Sequence, residues 1–140
     1  MNFTEYLSDI SLNYFALLRK LSSKYDLTLA QAMLLLYVPF DGILVSDLSE
    51  KLGVDISTMT RNIQRIHKQG LVTKKPSTTD KRSIQLFLSK RGQKVVSLLN
   101  DDISARLETF FDKYDFEQIE QIQQSLESVG WNLYLNRKDL

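Results

Sequence analysis

The chain has 140 residues, of which 43% are apolar and 25% charged, with 5 Gly, 2 Pro, one His and no Cys. That is the size and composition of about one globular domain, and it excludes disulfides, thiolate metal sites and cysteine redox sensing. The net charge is only +1, yet Ser46 to Lys94 carries eleven basic and four acidic residues (+7) and the remainder seven basic and thirteen acidic (−6).

Clustered Lys and Arg are the electrostatic footprint of polyanion binding. The apolar-rich stretch Ala30 to Phe40, broken by Pro39, is shorter than the roughly 18 residues needed to cross a bilayer. The start Met1-Asn2-Phe3-Thr4-Glu5 has neither a basic leader region nor a long apolar one. A cytoplasmic chain without a membrane partner is expected, and the glycosylation sequon Asn2-Phe3-Thr4 then has no consequence.

The spacing of Phe3, Leu7, Ile10, Tyr14, Leu17, Leu18 and Leu21 predicts a first helix over Thr4 to Lys24. Thr28 can cap a second, which Pro39 ends after Val38. Asp41-Gly42 reads as a turn and Ile43-Leu44-Val45 as a very short strand. Ser46 can cap a short helix through Leu52, closed by Gly53. Asp55 can cap the next, to Gln69, with Gly70 as its stop.

Leu71 to Lys75 and Ser83 to Leu88 read as strands around the polar loop Pro76 to Arg82. Ser89 can cap a long helix to about Tyr114. Asp115-Phe116-Glu117-Gln118 resembles a capping box that opens a last helix, with Gly130 weakening or kinking it. The tail Asn136 to Leu140 is expected to fray. The pattern predicts a mainly α chain with a helix-turn-helix followed by a β-hairpin wing.

The spacing Leu48-Ser49-x3-Gly53-Val54-x4-Met59 carries the helix-turn-helix. At about 100° per residue, Ile56, Met59, Ile63 and Ile66 form a core stripe, with His67 near it as a structural histidine. The opposite face presents Ser57, Thr58, Arg61, Gln64, Arg65 and Lys68, with no acid and no large apolar residue. Such a face suits base edges and phosphates: Ser57, Thr58 and Arg61 nearest the bases, Gln64 toward adenine, Arg65 and Lys68 toward phosphate. In the wing, Lys74, Lys75 and Lys81 can neutralise phosphate and Arg82 can enter a minor groove. Asp80, which repels phosphate, is read as shaping the wing loop.

These residues resemble the MarR (multiple antibiotic resistance regulator) family of winged helix-turn-helix transcription factors. The resemblance is strongest in Asp47 to Val54, Ser57 to Arg61, Gly70-Leu71-Val72, Asp80-Lys81-Arg82 and Leu88-Ser89-x2-Gly92. Ser89 stands where the family has Thr, and Asn62 where an aliphatic residue is common. The resemblance implies one domain over 1–140: a winged helix-turn-helix at about 28–92 between dimerisation helices at about 2–24 and 93–135. It further implies a homodimer on a pseudo-palindromic stretch of double-stranded DNA, acting as a repressor. The terminal aromatics, Phe3, Phe15, Phe110, Phe111, Phe116, Trp131 and Tyr134, agree with an interface because one small winged helix cannot cover them.

Some members of the family respond to a small aromatic or phenolic effector. Here Tyr14, Phe15, Tyr37 and Phe87 can line such a pocket or belong to the core. No cofactor is expected. An enzyme is disfavoured because the chain has no Cys, one His on the core stripe, no Gly-rich phosphate loop and no Ser-x-x-Lys. The competing expectation is a winged-helix protein used for nonspecific DNA binding or protein–protein contact.

Overall fold

The computed structural model describes residues 1–80 and 82–140, so Lys81 lies outside the described residues. The elements run α1 Phe3–Ser23, α2 Leu29–Leu36, β1 Ile43–Leu44, α3 Val45–Leu52, α4 Ile56–Lys68, β2 Val72–Pro76, β3 Ile84–Leu88, α5 Lys90–Phe111 and α6 Phe116–Lys138. They form two compact units, Met1–Ile103 and Ser104–Leu140, and α5 runs through the division. The protein is mainly helical with a small antiparallel sheet, as the pattern of the sequence predicted.

Local chemistry sets most helix starts. Asn2 accepts a hydrogen bond from the Glu5 N–H at 3.0 Å, and the Glu5 carboxylate accepts from the Asn2 N–H at 2.9 Å. Asn2 is thus half of a capping box for α1. Thr28 and Gln31 make the same reciprocal pair for α2, as Asp115 and Gln118 do for α6. Helix α3 departs from expectation. It begins at Val45, after an extended Leu44 with no side-chain cap, so Ser46 is not its cap. Leu44 is paired with Gln85 across the sheet, and this pairing hands the chain directly into the helix.

The sheet has strand order β1-β3-β2, all antiparallel. The hairpin pairs Val72 with Leu88 through to Pro76 with Ile84, and β1 adds Ile43 opposite Leu86 on the other edge. The expected two-stranded wing therefore has a third strand. Two residues are too few to show a period, so its partner could not be read from sequence.

One core cluster joins Leu34 and Leu35 of α2, Leu48 of α3, Met59, Ile63 and Ile66 of α4, and Leu86 of β3. Full burial of each such side chain contributes about 1.5–3 kcal/mol. A second cluster packs Leu18 and Leu21 of α1 against Ala32 of α2 and Leu99 of α5. Tyr25 ties the end of α1 to α5 by donating its hydroxyl to the Asp102 carboxylate at 2.6 Å, and Lys24 pairs with the same group at 3.8 Å. The hydrogen bond to Asp102 is the first cause, and burial the second, of a Tyr25 hydroxyl held above the ordinary tyrosine range.

Two glycines fix the geometry around the site. Gly53 has φ 65° and ψ 35°, the left-handed region, where an ordinary residue costs roughly 1–2 kcal/mol. It ends α3 so tightly that the Ser49 hydroxyl donates to the Val54 carbonyl. Gly92 lies so close to β2 that a methyl in its place would collide with the Leu71 carbonyl oxygen. In the second unit α6 continues through Gly130 and reaches Lys138, so most of the tail expected to fray is helical. One interior glycine costs about 1 kcal/mol, which twenty-odd cooperative helical residues absorb.

Candidate nucleic-acid interface

Helix α4 is anchored from below. Met59, Ile63 and Ile66 are buried at helical spacing, which turns the opposite face outward. On that face Ser57, Arg61, Gln64, Arg65 and Lys68 are exposed and Thr58 is half-buried. The structure thus brings all six recognition-helix candidates onto one side of one helix. Two expectations fail here. Ile56 is 53% exposed rather than part of the core stripe. It is the first residue of α4, and helical side chains lean toward the N-terminus, which carries it past the end of the core. His67 is exposed as well, because it lies beside the buried row ending at Ile66 rather than in it.

Asp55 caps α4 with both carboxylate oxygens. One accepts from the Thr58 N–H and the other from the Thr58 hydroxyl, each at 2.8 Å. The Thr58 N–H is the largest cause, ahead of the Thr58 hydroxyl and Ser57, of an Asp55 carboxyl held below the ordinary aspartate range. The charge is thereby committed to the positive end of the helix. Arg61 reaches back one turn, its Nη2 donating to Thr58 Oγ1 at 3.4 Å.

The wing presents the second cationic surface. Lys74 lies opposite Leu86 and Lys75 opposite Gln85, so the two lysines point to opposite faces of the hairpin. Both residues are exposed, and the Lys75 ammonium sits 5.1 Å from the centroid of the Phe87 ring. At the tip Asp80 accepts from the Arg82 N–H at 3.0 Å and from the Ser83 hydroxyl at 3.4 Å. Its carbonyl accepts from the Ser83 N–H at 3.0 Å, while Ser77 donates to the Ser83 carbonyl at 2.9 Å. Asp80 therefore closes the turn that carries the exposed Arg82. Lys81, also named from sequence, falls outside the described residues.

The root of the wing is tied to the helices. Ser89 donates its hydroxyl to the Gly70 carbonyl at 2.6 Å and accepts from the Gly92 N–H at 3.0 Å. The Ser89 N–H donates to the Leu71 carbonyl at 3.0 Å. One serine thus joins the end of α4, the start of β2 and the start of α5.

Beneath α4 is a cavity of about 240 Å³ lined by Phe15, Leu29, Ala30, Met33, Leu34, Leu52, Val54, Thr58, Met59 and Asn62. Of the four side chains considered for a pocket, only Phe15 lines it. Tyr14 lies beside it, ring centroids 6.1 Å apart. Burial first, and the Tyr37 hydroxyl second, hold the Tyr14 hydroxyl above the ordinary tyrosine range. Tyr37 is covered by the Lys51 ammonium at 5.3 Å, and Phe87 lies on the sheet under Lys75. Sequence reasoning missed Met33 and Asn62 as lining residues. The signal for Asn62 was present, because a polar residue stands there in an otherwise aliphatic setting.

Among the described residues no helix is long and apolar enough to cross a membrane, and no group of three or more His, Asp or Glu is placed to hold a metal ion.

A family model described as "MarR family" matches residues 25–83. The HTH-type transcriptional regulator YybA of Bacillus subtilis is 30% identical over 77% of this chain and 73% of its own length. A MarR protein from Peptoclostridium difficile is 25% identical with a TM-score of 0.83, over 97% of this chain and 90% of that one. The S. aureus MepR–DNA complex matches with a TM-score of 0.78 over 94% of this chain and 98% of that one; at 17% identity this likeness speaks for the fold.

Proposed function

The chain belongs to the MarR family of helix-turn-helix transcriptional regulators, and from that premise we propose that it acts as a homodimeric, ligand-responsive repressor on a pseudo-palindromic operator in the cytoplasm. One observation carries the reading. A well-anchored helix turns Ser57, Arg61, Gln64, Arg65 and Lys68 outward together, with Thr58 half-buried at their edge. Such a face enters a major groove, its N-terminal residues toward base edges and its C-terminal cations toward phosphate. Arg82 on the Asp80-closed tip and the hairpin lysines flank it and take the backbone and minor groove. The fold is shared with MepR, which was solved in complex with DNA, and this supports DNA as the partner.

Dimerisation is supported by surface that one chain leaves open. No residue of α6 is buried, and Phe116 and Trp131 on it are 83% and 59% exposed. Phe3, Ile10 and Leu12 of α1 are exposed too. Patches of this kind mark interfaces. A two-fold dimer then places its half-sites about one helical turn apart. The cavity under α4 supports ligand response: an apolar effector seated against Met59 and Asn62 would bias the pose of the recognition helix.

The direct test is selection of bound sequences from random duplexes, followed by titration. The proposal expects a palindrome bound at least about 10³ times more tightly than random DNA. Equal affinity for all duplexes favours nonspecific coating. No binding at low salt favours a protein-contact role.

A further inference from the structure

The hydrogen bonds at the start of α4 run in one direction only. The Thr58 hydroxyl has a single proton, and it is donated to the Asp55 carboxylate at 2.8 Å. A carboxylate can only accept, so this polarity is fixed. Thr58 Oγ1 is left with lone pairs, and the Arg61 guanidinium, which can only donate, lies 3.4 Å away. Each group thus takes the one role open to it: Arg61 donates to Thr58, and Thr58 to Asp55. Among the described residues no carboxylate lies within ion-pair distance of Arg61, so the hydroxyl is what orients it.

Resting on the reading of α4 as a groove-reading helix, we propose that Asp55 is a positioning residue. Acting through Thr58, it presets Arg61 for one guanine of each half-site. Thr58 then cannot donate to a base, because its only proton is already used. One N–H of the guanidinium is tied to the helix, and the rest of its planar fork keeps four donors. That fork matches the O6 and N7 acceptors of guanine. The arrangement also accounts for an acid at the foot of a surface that must approach phosphates. Its charge is spent on the helix end and on Thr58.

The test compares Thr58→Val, which keeps the shape and loses the hydroxyl, with Thr58→Ser, which keeps it. Asp55→Ser is the third variant. Serine is a favoured cap but has no second oxygen for the Thr58 hydroxyl. Each is titrated against the selected operator, against operators with single base changes, and against random duplex at several salt concentrations. Melting is followed in parallel.

Thr58→Val and Asp55→Ser are expected to lose preference at the same single guanine by about five- to tenfold, the scale of one hydrogen bond. Their salt slope and random-duplex affinity stay at wild-type values, and Thr58→Ser behaves as wild type. The relay is overturned if Thr58→Val reads every position as wild type does, or if it weakens all positions evenly while melting lower. A wild-type chain with no preferred duplex overturns the underlying reading, and the relay with it.

Discussion

Replacing Gly92 by Ala tests how the wing is held to the helices. The added methyl lands on the Leu71 carbonyl oxygen, a backbone atom that cannot rotate away. Helix α5 must therefore move off the junction between α4 and β2. Overpacking of this kind costs about 1–3 kcal/mol. The displaced carbonyl is also the acceptor for the Ser89 N–H at 3.0 Å, and losing that bond adds about 1 kcal/mol. The sum is about 2–4 kcal/mol. At about 2.1 cal/mol/K per residue, a chain of 140 residues unfolds with about 0.29 kcal/mol/K, so each kcal/mol lowers Tm by roughly 3.4 °C. Gly92→Ala should melt about 7–14 °C below wild type in a circular-dichroism scan at matched protein concentration. Operator affinity should fall with it, since the wing leaves its place beside α4. Melting within about 2 °C of wild type would mean that Gly92 is not packed against the Leu71 carbonyl, because a collision with backbone cannot be accommodated that cheaply.

Ile66→Ala should lower stability by about 2–5 kcal/mol in urea titration, since Ile66 is fully buried beneath the recognition face; a loss under about 1 kcal/mol would mean the site collapses around the gap. Lys74→Ala should weaken operator and random duplex alike and reduce the salt slope of binding by about one; an unchanged slope removes Lys74 from the phosphate contacts. The Asp55 carboxyl should titrate below the ordinary aspartate value in a carbon-detected NMR titration. Its folded value is depressed, so its contribution is fully present above the unfolded aspartate value of about 3.9 and is lost as pH falls through the lower folded value. Asp55→Ser should flatten that acid limb, and an identical acid limb in the variant would contradict the assignment. Tyr25→Phe removes the donor to Asp102 and should lower Tm, with unchanged melting counting against the strut between α1 and α5.

Much of the fold was legible because its signals are local. Asp55 before an apolar stripe marks the start of α4, Gly53 its preceding turn and Asp115 the start of α6. Asn2 and Thr28 carry the same capping chemistry, but the apolar spacing places the start of α1 at Thr4, whereas the structure starts it at Phe3 with Asn2 as its cap. What resisted reading depends on contacts distant in sequence. The pairing of β1 with β3 joins residues about forty positions apart. The start of α3 follows from that pairing rather than from Ser46. Ile56 has the period of a core residue and lacks only the neighbours, because the helix begins with it. The outward face of α4 follows from periodicity, whereas the bond from Arg61 to Thr58 follows from rotamers. The cavity needed three helices to be placed before Met33 and Asn62 could meet Phe15.

The proposed homodimer presents two copies of one cationic helix face to one duplex. Sedimentation of the purified chain with the duplex selected from random DNA measures this directly. A dimer that reads both half-sites gives a single complex of two chains per duplex, formed at about nanomolar concentration. A single chain per duplex, or a sedimentation profile unchanged when the selected sequence is scrambled, would contradict it.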